Sequence, residues 1–268
     1  MYGRPRLAEQ LRQWVSRGDI FELGHVLEPG IPHHPLHPPF LFSMARMHGD
    51  YRHGSYSAAN DIFCTGGHTG THVDAIGHIS CDGRLHGDVG ADSVQHKLQG
   101  LSRFGIDTTE PILCRGVLLD VPGALGRDVL DPAYEITPDD LEAACRHGGV
   151  QIEAGDAVLV RTGWARYWHE PRRFASPDEG APGVGLEAAR WLVEQGMGLA
   201  GGDTIAYEVV PSTMPVHMFL LVEKGIQIME MLNLEELAQQ RCYTFLFVCL
   251  PLRIRGGTGS PIRPIAIR

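Results

Sequence analysis

Between Gly66 and His78 the chain places His68, His72, Asp74 and His78 among four glycines, and the spacing restricts the backbone that can present them. On a helix His68 and His72 would share a face, but Asp74 would swing to the opposite side. In an extended segment side chains alternate with period two, so the even-numbered residues 68, 72, 74 and 78 point the same way. Thr69, Thr71, Val73 and Ile76 are β-branched and, with the glycines, disfavour helix. The segment is therefore expected to be strand or extended loop, with three imidazoles and a carboxylate converging on one point.

Imidazole nitrogen with carboxylate oxygen is a ligand set for a borderline divalent ion. Zn is the first expectation, and Mn or Fe is compatible with the same donors. A single histidine would be read as a surface or core residue. Four same-parity groups within eleven residues read as a metal site.

The 268 residues are enough for a substantial core, in one large domain or two. A formal net charge of -9 argues against nucleic acid or an anionic membrane as the main partner. No apolar run approaches the ~20 residues of a bilayer helix, and the N-terminus lacks the apolar stretch of a secretory signal. A cytoplasmic protein acting on a small molecule is expected. The six cysteines form no C-x-x-C pair. Cys114 and Cys249 sit in apolar runs as small core residues.

Along the chain, residues 5–17 have the spacing of an amphipathic helix that ends at Gly18. A short strand follows at 20–25. The segment 28–40, rich in Pro and His, must be loop. Its His33, His34, His37 and Phe40 are candidates for lining a substrate pocket, with Met44, Met47 and Tyr51 as further wall. Cys81 to Arg84 reads as a turn. Strands are expected over 115–121, 155–162, 197–200 and 243–252, with a short one at 226–230. Helices are expected after the Thr137 cap, over 186–195 and over 216–225. A further helix should start at Leu234, with Asn233 as cap and Glu236 closing a capping box. Residues 256–264 read as a turn-rich tail. The alternation of strands and helices favours an α/β sheet.

The pattern His68-x-x-x-His72-x-Asp74-x-x-x-His78, then His217, then Glu230-Met-Leu-Asn-Leu234, resembles the metal-dependent cyclase family that includes bacterial kynurenine formamidases and isatin hydrolases. Gly155 to Trp164, Gly202-Asp203-Thr204 and Gly259 to Pro264 extend the likeness across the chain. The resemblance, which runs from about residue 20 to the C-terminus, implies an α/β protein of the swivelling β/β/α fold, a mixed sheet with flanking helices; residues 1–268 are expected to form one domain, with the N-terminal helix read from its spacing placed within 1–18. It also implies a homo-oligomer, dimer or tetramer, and hydrolysis of an amide, lactam, imide, lactone or ester bond with one or two divalent ions. By the same resemblance His68 and His72 hold a first metal, Asp74 and Glu230 bridge, and His217 holds a second. His78 is then the general acid/base.

Two positions depart from the formamidase pattern. His34 stands where those enzymes carry tryptophan, and Glu230 lies one residue further from His217. The first weakens the case for kynurenine-like substrates and the second points to a different pocket, while the aromatic, weakly basic wall of His33, His34, His37 and Phe40 suits a small cyclic or aromatic substrate.

The chemistry expected of such a ligand set is attack by metal-bound hydroxide on the carbonyl carbon, because a divalent ion lowers the pKa of bound water towards about 7. His72, Asp74 and His217 alone would also suit a facial-triad Fe(II) oxygenase, but that leaves His68 and Glu230 without a role. A non-catalytic, metal-stabilised binding protein is the third reading, in which His78 would be dispensable.

Overall fold

A computed structural model describes residues 14–15, 17–176 and 178–268. The helix expected over residues 5–17 lies, but for Trp14, Val15 and Arg17, outside the described residues.

Nine strands form the central sheet: β1 (Ile20–Glu22), β2 (His72–Asp74), β3 (Ile112–Asp120), β4 (Ala157–Arg161), β5 (Leu199–Gly202), β6 (Ile228–Glu230), β7 (Thr244–Cys249), β8 (Gly259–Pro261) and β9 (Ile265–Ile267). Their order is β1-β9-β7-β3-β4-β5-β6-β2-β8. The middle four, β3 to β6, run parallel, as their near-continuous buried apolar runs require. The flanking strands pair antiparallel on both sides. This is the α/β sheet that the alternating pattern implied, in the mixed form that the resemblance implied.

Helix α1 (Pro138–Gly148) crosses from β3 to β4, α2 (Leu186–Glu194) from β4 to β5, and α3 from β5 to β6. Helix α3 begins as an α turn (Pro215–His217) and widens into a π-helical segment (Met218–Lys224). Strand alternation sorts the core into two layers. Val117, Leu119, Val158 and Val160 meet Leu141, Ala144, Leu192 and Leu220 of the three helices. Leu118, Ala157 and Leu159 face the other way, towards Phe245, Phe247 and Met229. Val73 and Phe21, from opposite ends of the strand order, share that second core, so the sheet curls. Each fully buried aliphatic side chain contributes about 1.5–3 kcal/mol relative to exposure.

Thr137 caps α1 as its sequence indicates: its hydroxyl accepts from Asp140 N, the Asp140 carboxylate accepts from Thr137 N at 2.9 Å, and Gly149 ends the helix at φ 63°. The box expected after Asn233 does not form. The Asn233 N–H that Glu236 would have covered donates instead to Leu23 O at 2.8 Å, and the last short helix, α4, runs Glu235–Gln239 with no side-chain cap at Leu234.

The expected turn-rich tail contains strand β8 instead, and β9 follows directly after it. Strand β8 completes the edge beside β2, where Pro261 is tolerated because an edge strand can spare an N–H. Strand β9 slots between β1 and β7. Residues 41–64, without a readable pattern, form a hairpin of Leu41–Arg46 with Asn60–Cys64. Among the described residues no helix is long and apolar enough to cross a membrane.

Candidate metal centre

Strand β2 lies between β6 and β8, with His72 opposite Glu230 and Asp74 opposite Gly259. His72 and Asp74, two apart, share a face, and Val73 between them goes to the core. Strand parity places only these two. His68 arrives through a turn containing Gly70 at φ 70°, and His78 through a turn in which its N–H donates to Ala75 O at 2.9 Å. The backbone from 68 to 78 is therefore not one extended run. Gly259 admits the His68 ring, since a Cβ there would lie 2.6 Å from His68 Cε1.

His217 comes from the first turn of α3, across the sheet from β2. Its Nδ1 donates to Glu208 Oε1 at 2.6 Å, and its backbone N–H donates to the same oxygen at 3.0 Å. His72 Nδ1 donates to Gly70 O at 2.8 Å. Both rings are thereby locked with Nε2 turned inward, the arrangement in which a metal-binding histidine is oriented by a second partner. His72 Nε2 is 3.2 Å from Glu230 Oε2 and 3.6 Å from Asp74 Oδ1. His217 Nε2 is 3.0 Å from Glu230 Oε1 and 3.7 Å from Asp74 Oδ2.

The electrostatics fit a cation. His72 Nε2 and Asp74 Oδ2 are buried with no hydrogen-bond partner, an arrangement that costs about 1–3 kcal/mol per group and that a divalent ion relieves. Burial opposes the charge on Asp74, but His78, His68 and His72 outweigh it and hold the carboxyl well below its usual range. Burial likewise opposes Glu230, whose carboxyl His217 and His72 hold down. Burial works against a charged His217, yet Glu208 and Glu230 raise that ring to about 10. The inward lone pair of His217 thus takes either a second proton or a metal ion.

Ligand atoms of Asp74, His217 and Glu230 lie within 4.8 Å of one another, and those of His68, Asp74 and His78 do the same, with Asp74 common to both groups. His68 Nδ1 is 2.7 Å from Asp74 Oδ1, and its Nε2 is 2.9 Å from Thr258 Oγ1. His78 stacks on His68 with ring centres 3.9 Å apart. It belongs to the cluster itself. Burial, against the pull of Asp74, pushes the His78 ring down to about 4, so it is neutral at pH 7.

Of the loop residues, His37 sits nearest. Its ring centre is 5.1 Å from that of His68 and 6.4 Å from that of His78, and burial lowers its pKa. His34 follows at 5.2 Å from His37. His33 turns its Nδ1 to Ile31 O in its own loop. Phe40 is not pocket wall but core, buried in the cluster of Trp164, Trp168 and Met231. Met44, Met47 and Tyr51 are exposed in the hairpin region.

Three partners have no signature in the sequence: Glu208, Thr258, and Gln227, whose side-chain amide donates to Asp74 O at 2.8 Å. Glu208 lies nine residues before His217, a separation with no regular period, and only the fold brings the two together.

The family model described as "Putative cyclase" matches residues 21–209. A cyclase-like protein 3 of Oryza sativa subsp. japonica is 31% identical over 205 residues, covering 75% of this chain and 63% of that protein, so the chain spans less than two thirds of its length. An isatin hydrolase of Roseibium aggregatum is 25% identical over 263 residues, covering 93% of this chain and 91% of that protein. The crystal structure of a novel cyclase superposes with a TM-score of 0.90 at 28% identity, covering 100% of this chain and 94% of that one. The fold is thus shared over the whole length, and with well over half of its residues matched by the family model, the chain belongs to the cyclase family.

Proposed function

We propose that this protein is a metal-dependent hydrolase that cleaves an amide, lactam, imide, lactone or ester bond in a small cyclic or aromatic substrate. The observation that carries the reading is the inward aim of His72 and His217 Nε2 at Asp74 and Glu230, with both Nδ1 atoms committed elsewhere. His68, His72, Asp74, His217 and Glu230 would hold one or two divalent ions, with Zn or Mn best matched to the donors. Such an ion supplies Lewis acidity, acidifying water and polarising the scissile carbonyl.

The remaining steps belong to the chain's own side chains. His78, neutral and buried against His68 and Asp74, takes the proton released as a water oxygen bonds to the carbonyl carbon. It returns that proton to the departing nitrogen or oxygen as the old bond breaks, a role worth about 10²–10⁴-fold. Asp74 stabilises the imidazolium formed in between. His37 and His34 line the approach as weakly basic, flat surfaces suited to stacking against an aromatic or cyclic substrate.

Two carboxylates beside two inward imidazoles exceed what a facial triad uses, which favours hydrolysis over the oxygenase reading. The test is a panel of formyl-anilides, cyclic imides, lactams and lactones given to metal-reconstituted protein, beside His78→Ala. Anaerobic turnover that falls at least about 100-fold in His78→Ala, with metal content retained, is expected. No turnover across the panel, or a variant that turns over like the parent, would overturn it.

A further inference from the structure

The imidazoles that face the carboxylates of the metal centre do not face them with the same nitrogen. In His72 and His217 the outward atom is Nδ1, which donates to Gly70 O at 2.8 Å in the first and to Glu208 Oε1 at 2.6 Å in the second, so that Nε2 turns inward. His68 is reversed. Its Nδ1 lies 2.7 Å from Asp74 Oδ1, and its Nε2 meets Thr258 Oγ1 at 2.9 Å.

The surroundings fix the ring in this sense. The chain at Gly259 follows its Nδ1–Cε1–Nε2 edge, since a Cβ there would lie 2.6 Å from Cε1, 2.9 Å from Nδ1 and 3.0 Å from Nε2. A half-turn of the ring about its bond to Cβ would put carbon where the two nitrogens now meet Asp74 and Thr258, and both contacts would be lost. The backbone on either side is also held: His37 Nδ1 donates to His68 O at 3.3 Å, and Ala75 N donates to Thr258 O at 2.9 Å.

We infer that His68 offers a divalent ion its Nδ1, where His72 and His217 offer Nε2, and that Thr258 is the positioning residue behind this choice. The inference rests on the metal-binding reading of the site given above. A neutral imidazole has one N–H and one lone pair, so the lone pair stays on Nδ1 only while the Nε2–H has an acceptor. Thr258 Oγ1 is that acceptor, the counterpart of Gly70 O for His72 and of Glu208 for His217. An ion taken up at Nε2 would sit on the Thr258 side of the ring, away from the Asp74 oxygen that Nδ1 faces. Thr258 is itself exposed, so its replacement puts little of the core at risk.

The test uses Zn²⁺ as probe and the full chain throughout. Long-range nitrogen–proton NMR of the Zn-loaded, unmodified protein distinguishes a ring protonated at Nε2 from one protonated at Nδ1. His68 should carry its proton on Nε2, and His72 and His217 theirs on Nδ1. A His68 protonated on Nδ1 would overturn the inference. Competition with a chelator then compares Thr258→Val, which keeps the shape and shuts out water but has no acceptor, with Thr258→Ser, which restores the hydroxyl. Thr258→Val should lose about 10–100-fold in Zn²⁺ affinity, and Thr258→Ser should bind as the parent does. Parent-like affinity in Thr258→Val, or an equal loss in Thr258→Ser, would show that the hydroxyl does not set the ring and would sink the inference. An unmodified protein that takes up no Zn²⁺ would overturn the metal reading itself and this inference with it, a failure distinct from Zn²⁺ held with the proton on the wrong nitrogen.

Discussion

Glu208 and His217 are joined twice through one oxygen: Glu208 Oε1 accepts from His217 Nδ1 at 2.6 Å and from its backbone N–H at 3.0 Å. The second carboxylate oxygen takes Ser212 Oγ at 3.0 Å. One buried side chain therefore fixes both the start of α3 and the direction of the imidazole it carries. In Glu208→Ala the ring is free to rotate and the buried donors lose their acceptor. Metal affinity, titrated against a competing chelator, should fall about 10–100-fold, with Glu208→Gln intermediate because it keeps one acceptor oxygen. Unchanged affinity in Glu208→Ala would mean that His217 is held by its backbone alone.

Gly259 tests the packing around His68. An added Cβ would sit 2.6 Å from the ring and 2.9 Å from its Nδ1, so Gly259→Ala should displace the imidazole from Asp74. Because a shift of about 1 Å in a reacting group is enough for a 10²-fold loss, turnover should drop at least that far. Overpacking should cost only about 1–3 kcal/mol of stability. Comparing steady-state rates with urea unfolding separates the two. A variant that loses stability and keeps its rate would show that His68 has room to move.

How much of this was readable beforehand follows from the range of each interaction. The buried runs of β3 and β4 and the Thr137 cap are local, and their sequence signals match the structure. His72 and Asp74 obey strand parity because their segment really is a strand, whereas His68 and His78 reach the cluster through turns that parity does not describe. The approach of His217 and Glu230 to β2 came from resemblance rather than spacing, since it depends on β2 inserting beside β6. Strands β8 and β9 are three residues each, too short for a period, and exist because of partners far along the chain. Phe40 looked like pocket wall because its loop is rich in histidine. Its ring is instead buried in the apolar cluster that includes Trp164 and Trp168, and it stacks on Phe63.

Removal of the metal should be felt in stability as well as activity, since the ligand cluster gathers buried carboxylates and imidazoles that a cation balances. An ion present at 100 times its dissociation constant adds about 2.7 kcal/mol to the folded state. For a chain of this size that corresponds to a melting temperature higher by roughly 5–10 °C. Chelation should lower the midpoint by that amount and abolish turnover, and Zn or Mn should restore both. A melting curve and a rate indifferent to chelation would remove the metal from the account.

His25 offers a pH signature separate from the metal cluster. Its ring stacks on Trp168 at 3.8 Å and 6°, and its Nε2 is buried without a partner. Burial, helped by nearby His169, pushes its pKa down to about 4, while in the unfolded chain it is about 6.5. Between those values the unfolded state binds a proton that the folded state refuses, so stability is full above pH 6.5 and is lost as pH falls towards 4. The gap is worth about 3 kcal/mol for a fully enclosed ring and about 2 kcal/mol for this partly exposed one. His25→Phe preserves the stack and removes the titration. Because every other ionising group is common to both proteins, the difference between parent and variant in unfolding free energy isolates His25. That difference should shift by about 2 kcal/mol in the variant's favour between pH 7 and pH 4, and a difference flat across this range would show that the ring takes up its proton as freely folded as unfolded.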